Sequence, residues 1–224
     1  TKAPIVGITG SNGKSTVTQL LGEMAIGSGK NAVICGNIGK PVMESLSDEA
    51  ELYVVEMSSY QLDYTNNLNL LTGVVTNITP DHLDRYPDYD TYIASKLKLY
   101  EYCQHSVINL NESLVKGIKG DSYYAIEEVT QSCEFSAKKV DGVFTLYQGE
   151  DILMTSNDLM IVGRHNVENV LAALTLGHQV GLSVEEMIQV AKSFTGLPHR
   201  LEWVAKLSGV DYFNNSKSTN AIST

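Results

Sequence analysis

The stretch Gly7–Thr16, GITGSNGKST, decides how the rest of the chain is read. It looks like a phosphate-binding loop, yet Ile8 stands where the usual pattern has its first glycine. The physics of such a loop is a better guide than the pattern. An anion site of this kind needs an apolar strand as anchor and glycines that let backbone N–H groups face outward. It also needs a helix whose positive end points at the anion. PIVGIT (4–9) reads as the strand, and Gly10 and Gly13 supply the glycines. Val17, Leu20, Leu21, Met24 and Ala25 then recur on one face of a helix. Lys14 falls in the first turn, where the helix dipole disfavours a cation by roughly 0.3–1 kcal/mol. A bound anion would reverse that penalty, and Ser15 or Thr16 would then offer a hydroxyl to Mg²⁺. The plainer alternative is a glycine turn beside an exposed lysine.

Working outward, NAVIC (31–35), LYVVEM (52–57), GVVTNI (73–78) and SVINL (106–110) are near-continuous apolar runs, as buried parallel strands are. Helical stretches near 40–47 and 89–103 separate them, and this alternation predicts a mostly parallel α/β sheet flanked by helices. Near residue 120 the character changes. SYYAI, CEFSAKK, VFTLYQG and DILMTS, with Gly and Asp turns between them, predict a small antiparallel sheet at one edge. HNVENVLAALTLGHQVG and SVEEMIQVAKSF read as helices, the second opened by a Ser183–Glu186 capping box. After TGLPHR, the segments EWVAKL and VDYFN read as a strand pair joined through Ser-Gly.

The 224 residues are 43% hydrophobic, enough for a sizeable core, and the formal net charge is −10. That acidity argues against broad binding to nucleic acid or anionic membranes, while leaving room for a local basic pocket. Cys35, Cys103 and Cys133 lack metal-ligand spacing and suit reduced thiols in a core, as expected of a cytoplasmic protein. No apolar run approaches the roughly 18 residues of a membrane span. The chain does not begin with Met and ends in NAIST, so a fragment is expected.

Three residues join the loop as candidates. Glu56 ends an apolar strand, which places a carboxylate at the sheet edge where ligands of parallel α/β folds bind. There it can hold Mg²⁺. In NITPDHLDRYP, Asp81 and Asp84 surround His82 beside Arg85, which reads equally as a second cation site or as a capped helix start with an exposed histidine. Wound as a helix, residues 89–103 put Tyr89, Ile93, Leu97, Tyr100 and Cys103 on an apolar face. Lys98 then falls in solvent and Lys96 within that face. A lysine there must snorkel outward, find a partner or shed its charge. Burial would lower its pKa and leave a neutral amine able to add CO₂ as a carbamate.

TGSNGKST, GNIG, EMSSYQL, NITPDHLDRY, YIASKLKLY, GRHNVENVLAAL, TGLPHRLE and NNSKSTN follow one another in an order that resembles the Mur ligases. The resemblance runs from about residue 4 to the end, and the family's short GxxGK[ST] loop accounts for Ile8. It implies a central ATP-binding domain at 1–199 and the start of a C-terminal Rossmann-like domain at 200–224, without the N-terminal UDP-binding domain. It also implies an ATP-dependent ligase of peptidoglycan synthesis, cytoplasmic and monomeric, working through an acyl phosphate. SSYQL and LPHR favour the branch whose substrates are UDP-N-acetylmuramoyl-L-alanine and D-glutamate. A paralogous ligase, or a nucleotide-binding module inactive as a fragment, is the alternative.

By resemblance, Gly10, Ser11, Asn12, Gly13, Lys14, Ser15 and Thr16 hold the ATP phosphates. Ser15, Thr16 and Glu56 serve a first Mg²⁺, and His82 and a carbamylated Lys96 a second. Asn37, Ser58, Gln61 and His82 fall near the muramoyl-alanine substrate. Asn166 and Asn169 form the HNxxN motif on the adenine side, although Asn166 also suits a helix cap. Arg200 and Lys217 match nucleotide contacts, and Thr219 lies near D-glutamate. The family usually reads N-D-S-K-x-T-N where this chain has NNSKSTN, so Asn215 replaces an aspartate expected on the ATP ribose.

Overall fold

The computed structural model describes residues 2–127 and 133–217. A nine-stranded sheet runs in the order β2-β3-β1-β4-β5-β6-β7-β8-β9. Its strands are β1 (Ile5–Thr9), β2 (Ala32–Gly36), β3 (Leu52–Glu56), β4 (Leu70–Val75), β5 (Cys103–Asn109), β6 (Ser122–Ile126), β7 (Phe135–Val140), β8 (Val143–Gln148) and β9 (Asp151–Thr155). Pairing is parallel from β2 through β7 and antiparallel for β7-β8 and β8-β9.

Helices α1 (Lys14–Gly27), α4 (Arg164–Gln179) and α5 (Val184–Ser193) bury their apolar residues on one face of this sheet. The short α2 (Ser59–Tyr64) and α3 (Tyr89–Glu101) cover the other. A separate hairpin, β10 (Glu202–Leu207) with β11 (Val210–Asn214), follows. Strand β1 lies between β3 and β4, so the chain reverses its direction of progress across the sheet there. The crevice at the carboxyl ends of these three strands is where such folds bind ligands.

Several elements differ from expectation. The edge is antiparallel only from β7 onward. Strand β6 pairs parallel with β5, because residues 110–121 form a crossover long enough to bring it back in the same direction. The helix expected near 40–47 is a single 3-10 turn, Val42–Glu44; Ser45 Oγ donates to the Pro41 carbonyl, and Ser47 N–H donates to the Tyr53 hydroxyl. Strand β4 begins three residues before expectation and ends before Thr76, whose side chain turns to the glycine loop. No capping box opens α5, because the Ser183 hydroxyl donates to Glu185 instead.

The face of α3 is also rotated from the expected one. Its buried residues are Tyr92, Ser95, Lys96 and Leu99, while Tyr89, Ile93, Leu97 and Tyr100 are only partly buried. Cys103 has already left the helix for β5. Nor is Lys98 free in solvent: its amine donates to the carbonyls of Leu62 at 3.0 Å and Thr65 at 2.8 Å, closing the end of α2.

Candidate active site

Loop 10–13 joins β1 to α1 and is braced by the segment after β4. Asn12 N–H donates to Asn77 Oδ1 at 2.8 Å, and the Asn12 carbonyl accepts from Thr76 Oγ1 at 2.7 Å and Asn77 Nδ2 at 2.9 Å. Ser11 N–H donates to the Asn77 carbonyl, and its hydroxyl bridges the Thr79 carbonyl and Tyr92 hydroxyl, each at 2.9 Å. Gly10 passes so close to Thr76 Oγ1 that a Cβ would collide with it. Gly13, at φ 83°, lies hard against Asn169 Oδ1 and is the N-cap of α1; no side chain caps that helix. The first-turn N–H groups, with Lys14, Ser15 and Thr16, therefore have no intrahelical acceptors. Thr16 lines the adjoining cleft.

Two amines converge on the loop. Lys14 Nζ donates to the carbonyls of Gly10 and Ser11, both at 2.9 Å, and Lys96 Nζ donates to the same Gly10 carbonyl at 2.7 Å. Lys96 does not snorkel: it is 2% exposed, and its amine lies 4.7 Å from the centre of the Tyr92 ring. Burial, and then the charge of Lys14, push its pKa down to about 7, against smaller upward pulls from Asp81 and Glu56. Burial likewise lowers Lys14, with Glu56 and Asp81 opposing and Arg200 adding to the shift.

Glu56 closes β3 in a buried position. Its Oε1 accepts from Asn37 Nδ2 at 2.9 Å, while Oε2 is buried without a hydrogen-bond partner. An unpartnered carboxylate oxygen is costly, and a hard cation is the species that would satisfy it. The donor chemistry thus fits Mg²⁺ at Glu56 with a hydroxyl from Ser15 or Thr16. As an amine Lys96 offers a hard cation nothing, and fits only after conversion to a carbamate.

His82 sits in a turn at φ 55°, exposed, 3.7 Å from Asp81 Oδ2 and 5.3 Å from the Tyr60 ring centre. Among the described residues no group of three His, Cys, Asp or Glu side chains is placed to hold a metal. Ser58 and Gln61 are engaged with each other in a reciprocal capping box that starts α2: Ser58 N–H donates to Gln61 Oε1, and Gln61 N–H to Ser58 Oγ.

Beside the loop opens a cleft of about 340 Å³. It brings Asn12, Gly13 and Thr16 together with Asn166, Asn169, Arg200 and Asn215, residues far apart in sequence. Asn166 does not cap α4 as an acceptor; its Nδ2 donates back to the Val162 carbonyl, and its Oδ1 accepts from Asn169 Nδ2. Arg200 Nε is buried without a partner. Asn215 Oδ1 accepts from Leu201 N–H, holding the hairpin's end to the linker. Lys217 is exposed and does not line the cleft, and Thr219 lies outside the described residues.

Sequence reasoning missed the bracing residues Thr76, Asn77, Thr79 and Tyr92, and Glu168 in the cleft wall. The first three had a signal, since polar residues directly after an apolar parallel strand lie at the ligand edge. Tyr92 and Glu168 had none, because which helix face turns inward is a tertiary matter.

The family model of the Mur ligase middle domain matches residues 8–177. The UDP-N-acetylmuramoylalanine–D-glutamate ligase of Marinobacter nauticus is 43% identical over 226 residues, covering 99% of this chain and 50% of that protein. The ligase of the same name from Hahella chejuensis is 42% identical, again covering 99% of this chain and 50% of its own length. The chain spans about half the length of the curated relatives it matches. Among solved structures, MurF from Acinetobacter baumannii superposes with a TM-score of 0.77 at 18% identity, covering 99% of this chain and 52% of that one. A pseudomurein peptide ligase type C from Methanothermus fervidus gives 0.74 at 23%, covering 92% and 52%. These two share the fold.

Proposed function

The chain belongs to the Mur ligase family, and we propose that it is the ATP-binding part of a ligase joining D-glutamate to UDP-N-acetylmuramoyl-L-alanine. The observation that carries the reading is the pair of amines, Lys14 and Lys96, on one carbonyl at the uncapped start of a helix. Lys14 with the uncapped N–H groups suits an anion, while Lys96, pressed toward its neutral form by burial and by Lys14, is an amine that CO₂ can convert. Both substrates of an acyl-phosphate mechanism are anionic where they react: the nucleotide's terminal phosphate and the alanyl carboxylate.

Phosphorylating that carboxylate converts a poor leaving group into a good one. The D-glutamate amine then attacks the acyl carbon, the tetrahedral intermediate expels phosphate, and an amide results. In this reading the N–H groups of Gly13–Thr16 and the Lys14 amine orient the nucleotide phosphates and stabilise charge on the group in transfer. Glu56, with Ser15 or Thr16, would hold Mg²⁺, which supplies electrostatic stabilisation of the phosphoryl oxygens when bound. Lys96, as a carbamate, and His82 would serve a second Mg²⁺. Asn37, fixed to Glu56, and the Ser58–Gln61 turn would face the muramoyl-alanine arm. Asn166, Asn169, Arg200 and Asn215 would border the nucleoside, Lys217 would reach the phosphates, and Thr219 the incoming amino acid. The setting is cytoplasmic and the enzyme monomeric. Among the described residues no helix is long and apolar enough to cross a membrane.

Phosphate release by the complete enzyme tests this. Release that requires both UDP-N-acetylmuramoyl-L-alanine and D-glutamate is expected. Turnover with ATP alone would point to a phosphate-loop hydrolase or kinase instead, and nucleotide binding without turnover to a non-catalytic module. The 224-residue chain alone is expected to release almost none.

A further inference from the structure

The cleft beside the loop carries both signs of charge. Arg200 lines it together with Gly13 and Thr16, and its charge acts on Lys14 at the start of α1. The wall also runs along the first turns of α4, where His165 and Glu168 are three residues apart and so on one helix face. Ile161, Gly196 and Leu197 add an apolar part to it. A flat heterocycle would rest on those apolar residues and present its polar edge to whatever acceptors or donors the cleft keeps free.

Asn166 and Asn169 have part of their hydrogen-bonding capacity committed within the wall. Asn166 spends its Nδ2 on the Val162 carbonyl and its Oδ1 on Asn169 Nδ2, and Asn169 Oδ1 is turned to Gly13. Glu168 is different. Its Oε1 lies 3.5 Å from Arg164 Nη2, and Arg164 is itself divided between Glu168 and Glu127, 3.6 Å from its Nε. A carboxylate has about four acceptor positions, so most of its capacity is unspent. Burial raises the carboxyl's pKa, Arg164 opposes this, and Glu112 and Glu127 add to it. An acid so placed gains from a neutral donor more than an exposed one would.

We propose that Glu168 determines base specificity: its carboxylate accepts a hydrogen bond from the exocyclic amine of a 6-aminopurine while the phosphates lie at the glycine loop, where Gly13 and Thr16 line the same cleft. The inference rests on the nucleotide reading above and deepens it. A purine with a carbonyl oxygen at that position would place acceptor against acceptor.

The test is titration calorimetry of Mg²⁺-ADP and Mg²⁺-IDP against this chain, its Glu168→Gln and Glu168→Leu variants, and Lys14→Ala. The wild-type chain is expected to bind ADP about tenfold more tightly than IDP, the scale of one hydrogen bond to a charged acceptor. Glu168→Gln, whose amide both donates and accepts, should bring the two nucleotides within about threefold. Glu168→Leu should weaken ADP several-fold and, with the opposed acceptor gone, bind IDP at least as tightly as the wild type does, so that IDP binding reports an intact fold. An ADP:IDP ratio that stays the same in all three chains would overturn the proposal while leaving the nucleotide site standing. If neither nucleotide binds the wild type, or Lys14→Ala binds both as well as wild type, the nucleotide reading falls and the proposal with it.

Discussion

Gly13 shows how little freedom a single position has here. Its φ of 83° disfavours any L side chain, and a Cβ would press on the Asn169 oxygen. Gly13→Ala should cost about 1–2 kcal/mol of stability and weaken ADP binding, checked by urea melts and calorimetry. Lys96 makes a prediction about pH. Its folded pKa is about 7 against an ordinary 10.5, so between those values the unfolded chain holds a proton that the folded chain lacks. Stability should therefore rise as pH increases through that window, whereas below it the cost of burying the charge is fully present. Urea midpoints for wild type and Lys96→Met would show it: the rise should flatten in the variant, and an equal rise in both would refute the shift. The same neutral amine is what CO₂ requires. With ¹³C-bicarbonate, a carbamate resonance lost in Lys96→Met should grow from about pH 6 to about pH 8. That Lys96 falls on an apolar face was legible from periodicity. Its carbonyl partner was not, because Gly10 is 86 residues away.

Among the elements, α2 is the one that sequence periodicity passed over. Six residues carry too little period to be recognised, and such a helix is marginal by itself. Its stability comes from two local devices, the Ser58–Gln61 capping box at its start and Lys98 on its last carbonyls. Ser58→Ala should cost about 1 kcal/mol, measured by thermal melts. Lys98→Met should loosen the same turn, seen as faster amide exchange in residues 59–65. If α2 merely ends a loop, exchange there will be unchanged. The S-x-x-Q signal was present in the sequence, but the same residues also suit substrate contact, and only the hydrogen bonds separate the two uses. The misplaced α3 face has a similar cause. Ser95 is polar and was not counted toward the inward stripe, yet it has a buried acceptor awaiting it in Ser59, as Lys96 has in Gly10.

For the whole molecule, neither apolar cluster includes a residue beyond Phe194, and the β10–β11 hairpin leaves Trp203, Val204, Leu207, Tyr212 and Phe213 largely exposed. The expected boundary at 199/200 can be tested on that basis. Ending the chain at residue 199 should shift the melting temperature by no more than about 2 °C, yet weaken ADP binding, since Arg200 and Asn215 leave the cleft. A large drop in melting temperature would mean that the hairpin is part of the same cooperative unit. What the sequence alone determined is the parallel sheet, the glycine loop, its helix and the acid at the end of β3. Each is written in a short window, as an apolar run, a period or a residue adjoining one. What only the tertiary structure decided is which distant groups meet: two lysines on one carbonyl, an orphan oxygen on Glu56, and Asn169 against Gly13. These depend on crossovers that bring the ends of β1, β3 and β4 together with α3 and α4, and local spacing carries no record of such distances.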